Sequence, residues 1–249
     1  MSNTPHQRER LSAEPAAVIK ALPGMGRLMI NTRQGGATHE RMGVVEAVAE
    51  DNGWLVCSGA EHDSRIEVGA ITAMIVDRTS IMGGQCYPRI DFMQDADNVL
   101  CSVIGFAGIE PFDAVVSQFG PGEALEIVER TPPGGNAATE TDPNDPGTVP
   151  FQAALASAQG VTVRITRPGF TQDWAGVVEK VSPSRGFINV MRTDFHLHLR
   201  ACAVASWRQD TDGNGAVMVA LNADGEPTGL TVHGPAAAFV APAPIAEAV

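Results

Sequence analysis

The sequence predicts an α+β protein made of two tandem homologous repeats, each mostly antiparallel β-sheet, packed as a pseudo-dimer with helices between them. Three observations carry the prediction. One stretch of the chain recurs about 130 residues further on. Both copies alternate apolar and polar residues between Gly, Asn and Asp turns, the pattern of strands with one buried face. Between the copies the apolar period lengthens to that of a helix.

Taken in order, residues 1–15 (MSNTPHQRERLSAEP) are polar and charged and are expected to be a flexible N-terminus. Repeat one, with its connecting helices, spans 16–130. It opens with a short helix over Ala16–Ala21, stopped by Pro23 and Gly24. The strand RLMINTR then leads into TRQGGATHERMGVVEAV (32–48), and Gly53-Trp54 marks a turn. Further on, Ile90-Asp91-Phe92-Met93 reads as a strand, followed by a tight turn and a strand ending at Gly105. Ile109, Phe112, Val115, Val116 and Phe119 recur at helical spacing, and Pro121 could begin a second short helix carrying Ala124, Leu125 and Val128.

Residues 131–150, rich in Pro, Gly and Asp, read as a flexible linker. A short helix around Phe151–Ala158 leads into repeat two, spanning 151–235. Here VTVRITR precedes TRPGFTQDWAGVVEKV (166–181), which matches the first copy after one deletion, and Gly186-Phe187 repeats the Gly–aromatic pair. Val219 through Glu226 matches Ile90 through Asp97, and the second strand ends at Gly234. Residues 236–249, rich in Ala and Pro, read as a disordered tail. The alternation assigns Leu28, Ile30, Val44, Val48, Ile90, Phe92, Val163, Val177, Val181, Val219 and Leu221 to the core.

Composition narrows the function. Seventeen basic against 29 acidic residues give a net charge of −12, a poor basis for neutralising the phosphates of nucleic acid or the charge of an anionic membrane. No apolar run approaches the ~20 residues of a membrane-spanning helix, and the polar N-terminus lacks the apolar core of a secretory leader, so a cytoplasmic protein is expected. Cys57, Cys86, Cys101 and Cys202 show no C-x-x-C spacing and read as reduced thiols. There is no Gly-x-Ser-x-Gly elbow, no phosphate-cradling Gly-Lys-Ser/Thr loop and no His-Glu-x-x-His. The run Asp210-Thr211-Asp212-Gly213-Asn214-Gly215 lacks the bidentate Glu of a calcium loop and reads as a hairpin turn.

ALPGMGRLMINTRQGGATHERMGVVEAV (21–48) resembles the segment that opens the first repeat of the HemS/ChuX haem-utilisation proteins. Asp194-Phe195-His196-Leu197-His198-Leu199 is similar to the family's Asp-Phe-Asn-Leu-His-Leu signature in repeat two. The resemblance runs over residues 16–235. It implies paired antiparallel sheets with helices, and haem as the bound small molecule, for transfer or for oxidative ring opening. It implies that Arg65 caps the distal face of the haem. A guanidinium there could hydrogen-bond an oxygen species at the iron, while the plain alternative is a strand arginine facing solvent or paired with an acid. The family's proximal histidine falls on Glu110, a carboxylate that suits a helix N-terminus better than it suits haem iron.

His198 occupies in repeat two the position of Arg65 in repeat one. With His196 on the same strand face it could bind a metal, but no third ligand is identifiable from spacing, so no metal is assigned and a role inside the sheet interface is expected. His39, whose counterpart is Gln172, reads chiefly as a structural hydrogen-bonding residue. His233, at the end of the last strand, could reach the haem propionates. The candidate haem-contacting set is thus Arg65, His198, His233, Glu110 and His39. The alternative function is a non-enzymatic module that has lost the iron ligand and takes another flat or anionic molecule.

Overall fold

In the computed structural model, residues 6–128, 141–213 and 215–240 are described. Among the described residues twenty strands follow one another, the first twelve being β1 (Arg8–Leu11), β2 (Arg27–Gln34), β3 (Ala37–Val44), β4 (Ala47–Asp51), β5 (Trp54–Ser58), β6 (Asp63–Glu67), β7 (Ala73–Asp77), β8 (Ile81–Met82), β9 (Gln85–Cys86), β10 (Arg89–Met93), β11 (Val99–Gly105) and β12 (Glu123–Ala124). After the chain's midpoint come β13 (Gly160–Arg167), β14 (Phe170–Val177), β15 (Val181–Ser184), β16 (Phe187–Met191), β17 (Phe195–Arg200), β18 (Ser206–Thr211), β19 (Ala216–Leu221) and β20 (Pro227–Gly234). Three α-helices accompany them: α1 (Pro15–Lys20), α2 (Ile109–Val116) and α3 (Val149–Ser157). None is long and apolar enough to cross a membrane.

Two large sheets dominate, and their pairings are antiparallel. One has ten strands in the order β12-β1-β7-β10-β11-β2-β3-β17-β16-β15, the other eight in the order β18-β19-β20-β13-β14-β6-β5-β4. Each sheet therefore mixes strands from both halves of the chain: three strands of each half cross over to join the other. The Gly–aromatic pairs form two-residue hairpin turns, Asn52-Gly53 and Arg185-Gly186, each with positive φ at both residues, the geometry that matches strand twist.

The core lies between the sheets. Leu28 and Ile30 of β2 and Val163 and Ile165 of β13 are fully buried, and Trp174 of β14 stacks on Phe195 of β17 with ring centroids 4.5 Å apart. Gly35 shows how closely the halves approach. A Cβ there would lie 2.3 Å from the Thr228 carbonyl oxygen, so the β2–β3 turn admits no side chain.

Of the expected core, Leu28, Ile30, Ile90, Phe92, Val163 and Val219 are buried, Val48 and Val181 pack partly buried at its margin, and Leu221 is only partly buried. Val44 and Val177 are corrections. Both are exposed, and the next residue, Val45 or Val178, is buried instead. Each ends a strand where the chain leaves one sheet for the other, and that bend shifts the inward face by one residue.

Three further expectations change. The expected N-terminal flexible segment contains β1, which pairs with β7 and β12; residues 1–5 lie outside the described ones. The second helix after Pro121 is instead the strand β12. Leu125 N–H donates to the Arg8 carbonyl at 2.9 Å and Gly122 N–H to Glu9 Oε2 at 3.0 Å. Ile127 and Val128 of its would-be apolar face are exposed, and short helices depend on packing such a face. The expected 131–150 linker gives way to a 3-10 turn at Pro146–Thr148 and the start of α3 at Val149; residues 131–140 lie outside the described ones, as do 241–249 of the expected tail.

Candidate functional site

His39 points from β3 into the space between the sheets and is fully buried. Its Nε2 lies 3.1 Å from the Val163 carbonyl oxygen and its Nδ1 2.9 Å from Gln172 Nε2. Burial pushes the imidazole pKa down to about 3, more than the Val163 hydrogen bond pushes it up. With both ring nitrogens engaged and no exposed surface, His39 is a structural residue that no ligand reaches. That removes it from the candidate set.

Arg65 and His198 stand at matching steps of their ladders. Arg65 on β6 is opposite Thr171 of β14 and Val56 of β5. His198 on β17 is opposite Thr38 of β3 and Asn189 of β16. The surroundings differ. Arg65 is half-exposed and donates to Asp51 Oδ2 at 2.7 Å, the ordinary fate of a strand arginine at the surface. His198 is tied into a polar cluster.

In that cluster, Asn189 Nδ2 donates to the Ser182 carbonyl at 2.9 Å, which leaves Asn189 Oδ1 as the atom 2.7 Å from His198 Nδ1. An amide oxygen only accepts, so Nδ1 carries the ring proton and Nε2 keeps its lone pair. Nε2 lies 3.9 Å from Glu40 Oε2, and His196 Nδ1 lies 3.4 Å from the same oxygen. Burial lowers the His198 pKa, Glu40 opposes that, and His196 adds to it. Glu40 was not singled out in the sequence. It lies more than 150 residues from the histidines, and only the pairing of β3 with β17 brings His196 opposite it.

Glu110 lies in the first turn of α2, exposed to solvent, behind Gly108 at φ 96°. A Cβ on Gly108 would come within 3.2 Å of Glu110 Oε2, so the carboxylate turns back toward the helix start, where the backbone N–H groups favour negative charge. No hydrogen bond or ion pair joins Glu110 to Arg65.

His233 of β20 lines an open cleft of about 290 Å³ with Val161, Thr162, Ala175, Asp212 and glycines such as Gly160 and Gly176. Its Nε2 lies 2.9 Å from Thr231 Oγ1 and its Nδ1 3.7 Å from Asp212 Oδ2. The structure thus brings His198 together with His196 and Glu40, while Arg65 pairs with Asp51, Glu110 sits in the first turn of α2, and His233 lines the cleft beside Asp212. Cys57, Cys86, Cys101 and Cys202 are all free thiols, and burial pushes the Cys57 thiol up to about 12.

No protein-family model and no curated protein matches the chain. Solved structures do. ChuS, an Escherichia coli haem oxygenase, matches with a TM-score of 0.73 at 17% identity, covering 92% of this chain and 83% of ChuS. Holo-PhuS, a haem-binding protein from Pseudomonas aeruginosa, matches with a TM-score of 0.73 at 18% identity, covering 92% of this chain and 81% of PhuS. Apo-PhuS matches with a TM-score of 0.69 over 96% of this chain. The chain has the fold of these haem-utilisation proteins, the fold that its motifs led us to expect.

Proposed function

We propose that the chain is a haem-handling protein of iron utilisation, built from two copies of one β-unit folded together as a pseudo-dimer. The observation that carries this reading is the fold, which it shares over 92% of its length with a haem oxygenase and a haem-binding protein. Strand order supports the duplication. Leaving aside β1, β8, β9 and β12, which have no counterpart among the described strands of the second half, and counting from the start of each half, β7-β10-β11-β2-β3 followed by β17-β16-β15 is the same sequence of places as β18-β19-β20-β13-β14 followed by β6-β5-β4. Four unpaired thiols suit a reducing compartment, so we place the protein in the cytoplasm.

The residues meet a haem unevenly. Arg65 offers an exposed guanidinium once it leaves Asp51, a donor suited to a polar iron ligand or a propionate. Glu110, at the place of the family's proximal histidine, does not fit: a carboxylate is not among the usual axial groups of haem iron. We therefore derive no chemical step through the iron. The reading is of a protein that holds haem by its shape and polar groups rather than by a strong axial bond, as suits a carrier that must release its load. Glu110 also favours a second reading, in which the same scaffold has become a binding module for another flat or anionic molecule.

A haemin titration followed at the Soret band separates the two. A saturable, red-shifted band that weakens in Arg65→Ala supports haem handling. Glu110→His should then tighten binding by at least about tenfold, or 1.4 kcal/mol. A titration with no saturable band removes the haem reading and leaves the binding module.

A further inference from the structure

We infer that Glu40, His196 and His198 form a binding site for a divalent first-row transition ion, separate from any haem. His196 and His198 alternate along β17, so both project from one face of the ten-stranded sheet. Glu40 joins that face from β3, directly opposite His196 and diagonal to His198. One ligand atom from each residue lies within 4.8 Å of the others. Bonds of about 2.0–2.2 Å to nitrogen and carboxylate oxygen need a slightly tighter triangle, which a small rotation of half-exposed rings supplies.

Three features distinguish this trio from a chance surface cluster. First, the donors are of the right kind: two imidazoles and one carboxylate, the set that takes ferrous, zinc or cobaltous ions with coordination positions left open. Second, the protonation is already set. The Asn189 amide, fixed by the Ser182 carbonyl, holds the proton on His198 Nδ1 and turns the Nε2 lone pair toward Glu40. Imidazoles that bind metals are commonly oriented in this way, through a hydrogen bond from the other ring nitrogen. Third, among the described residues no Lys or Arg pairs with Glu40, whose ion-pair distances are to His196 and His198. Its other cross-strand neighbour on β2 is Asn31, whose amide contacts Met29 Sδ. Phe187 packs edge-on to His198 and limits the ring's alternatives.

With three protein ligands among the described residues, the bound ion keeps room for water or a small anion, unlike the closed four-ligand sites that serve structure. The test uses the full chain, freed of metal by a chelator that is then removed, in the absence of haem. Titration with Co²⁺ should give visible d–d absorption that saturates at one equivalent and is displaced by Zn²⁺. Glu40→Gln and His198→Ala should each weaken Co²⁺ binding at least tenfold, while His6→Ala, an exposed imidazole elsewhere, should not. Circular dichroism checks that each variant is folded, and Glu40→Gln, nearly isosteric, carries the test if a histidine variant does not fold. No saturable absorption, or unchanged binding in Glu40→Gln, overturns the site. The haem reading is judged separately, because the Soret titration of Glu40→Gln is expected to match the parent protein's.

Discussion

Two places in this molecule stand at the same step of their ladders on opposite sheets, and they hold different chemistry. On the ten-stranded sheet Glu40 has Asn31 on one side and His196 on the other, with His198 on the diagonal and Asn189 beyond it. On the eight-stranded sheet Asp173 has Arg164 on one side, and nearby Arg65 has Val56 where His198 has Asn189. Arg164 grips Asp173 through both carboxylate oxygens, at 2.7 and 2.5 Å. The sequence puts a carboxylate at the same step of both sheets. The cross-strand neighbours decide whether it is held in an ion pair or left to act with two imidazoles.

The largest effect is expected where the inner faces of the two places meet. His39 and Gln172 hold equivalent positions and hydrogen-bond to each other across the sheet interface. Gln172 also accepts from Ser64 Oγ at 2.8 Å and donates to the Ile30 carbonyl at 3.2 Å. Gln172→Ala strands these buried groups and opens a cavity, so urea denaturation should show a loss of about 3 kcal/mol. A loss under about 1 kcal/mol would mean the interface does not depend on this pair.

Acid probes the same pair. His39 is neutral in the folded protein down to a pKa of about 3, against 6.5 for a free histidine. Above pH 6.5 neither state takes up the proton, and the folded protein keeps its full stability. Below it the unfolded chain binds a proton that the folded one refuses, so stability falls as pH drops from about 6.5 toward 3. Gln172→Ala, by opening the site to water, should shallow that fall. Equilibrium denaturation at several pH values checks both slopes.

The outer faces should respond less strongly. Asn31→Arg copies the Arg164 arrangement onto Glu40, and an arginine there should claim the carboxylate. Co²⁺ affinity should drop by about a hundredfold, near 2.7 kcal/mol, with folding unchanged. Unchanged affinity would show that Asn31 is not what keeps Glu40 available.

This contrast marks what could be read from the sequence. The alternation and turn residues foretold mostly antiparallel strands in both halves, because these are local signals. In the register, Arg65 lies opposite Thr171 and His198 opposite Thr38. The crossing of three strands between halves left no such signal, since it is a matter of which long-range pairing wins. Glu40 was invisible for that reason: its partners come from the other half of the chain. Val44 and Val177 were misread because alternation fails where a strand bends out of its sheet. Pro121 suggested a helix because the local pattern could not reveal that β1 had an open edge to fill.

The smallest effect tests the comparison from the other side. Arg164 is partly exposed and its pair with Asp173 faces solvent, so Arg164→Ala should cost about 0.5 kcal/mol in thermal or urea unfolding. It removes from Asp173 the cross-strand arginine that Glu40 lacks. A released carboxylate should still recruit no ion here, because the neighbouring strand offers Asp63 and Arg65 where β17 offers His196 and His198. Oxygen donors beside a guanidinium hold a borderline transition ion poorly. The Co²⁺ titration of Arg164→Ala should therefore still saturate at one equivalent. A second equivalent would mean that removing the cation alone makes a site, and that the imidazoles matter less than their geometry suggests.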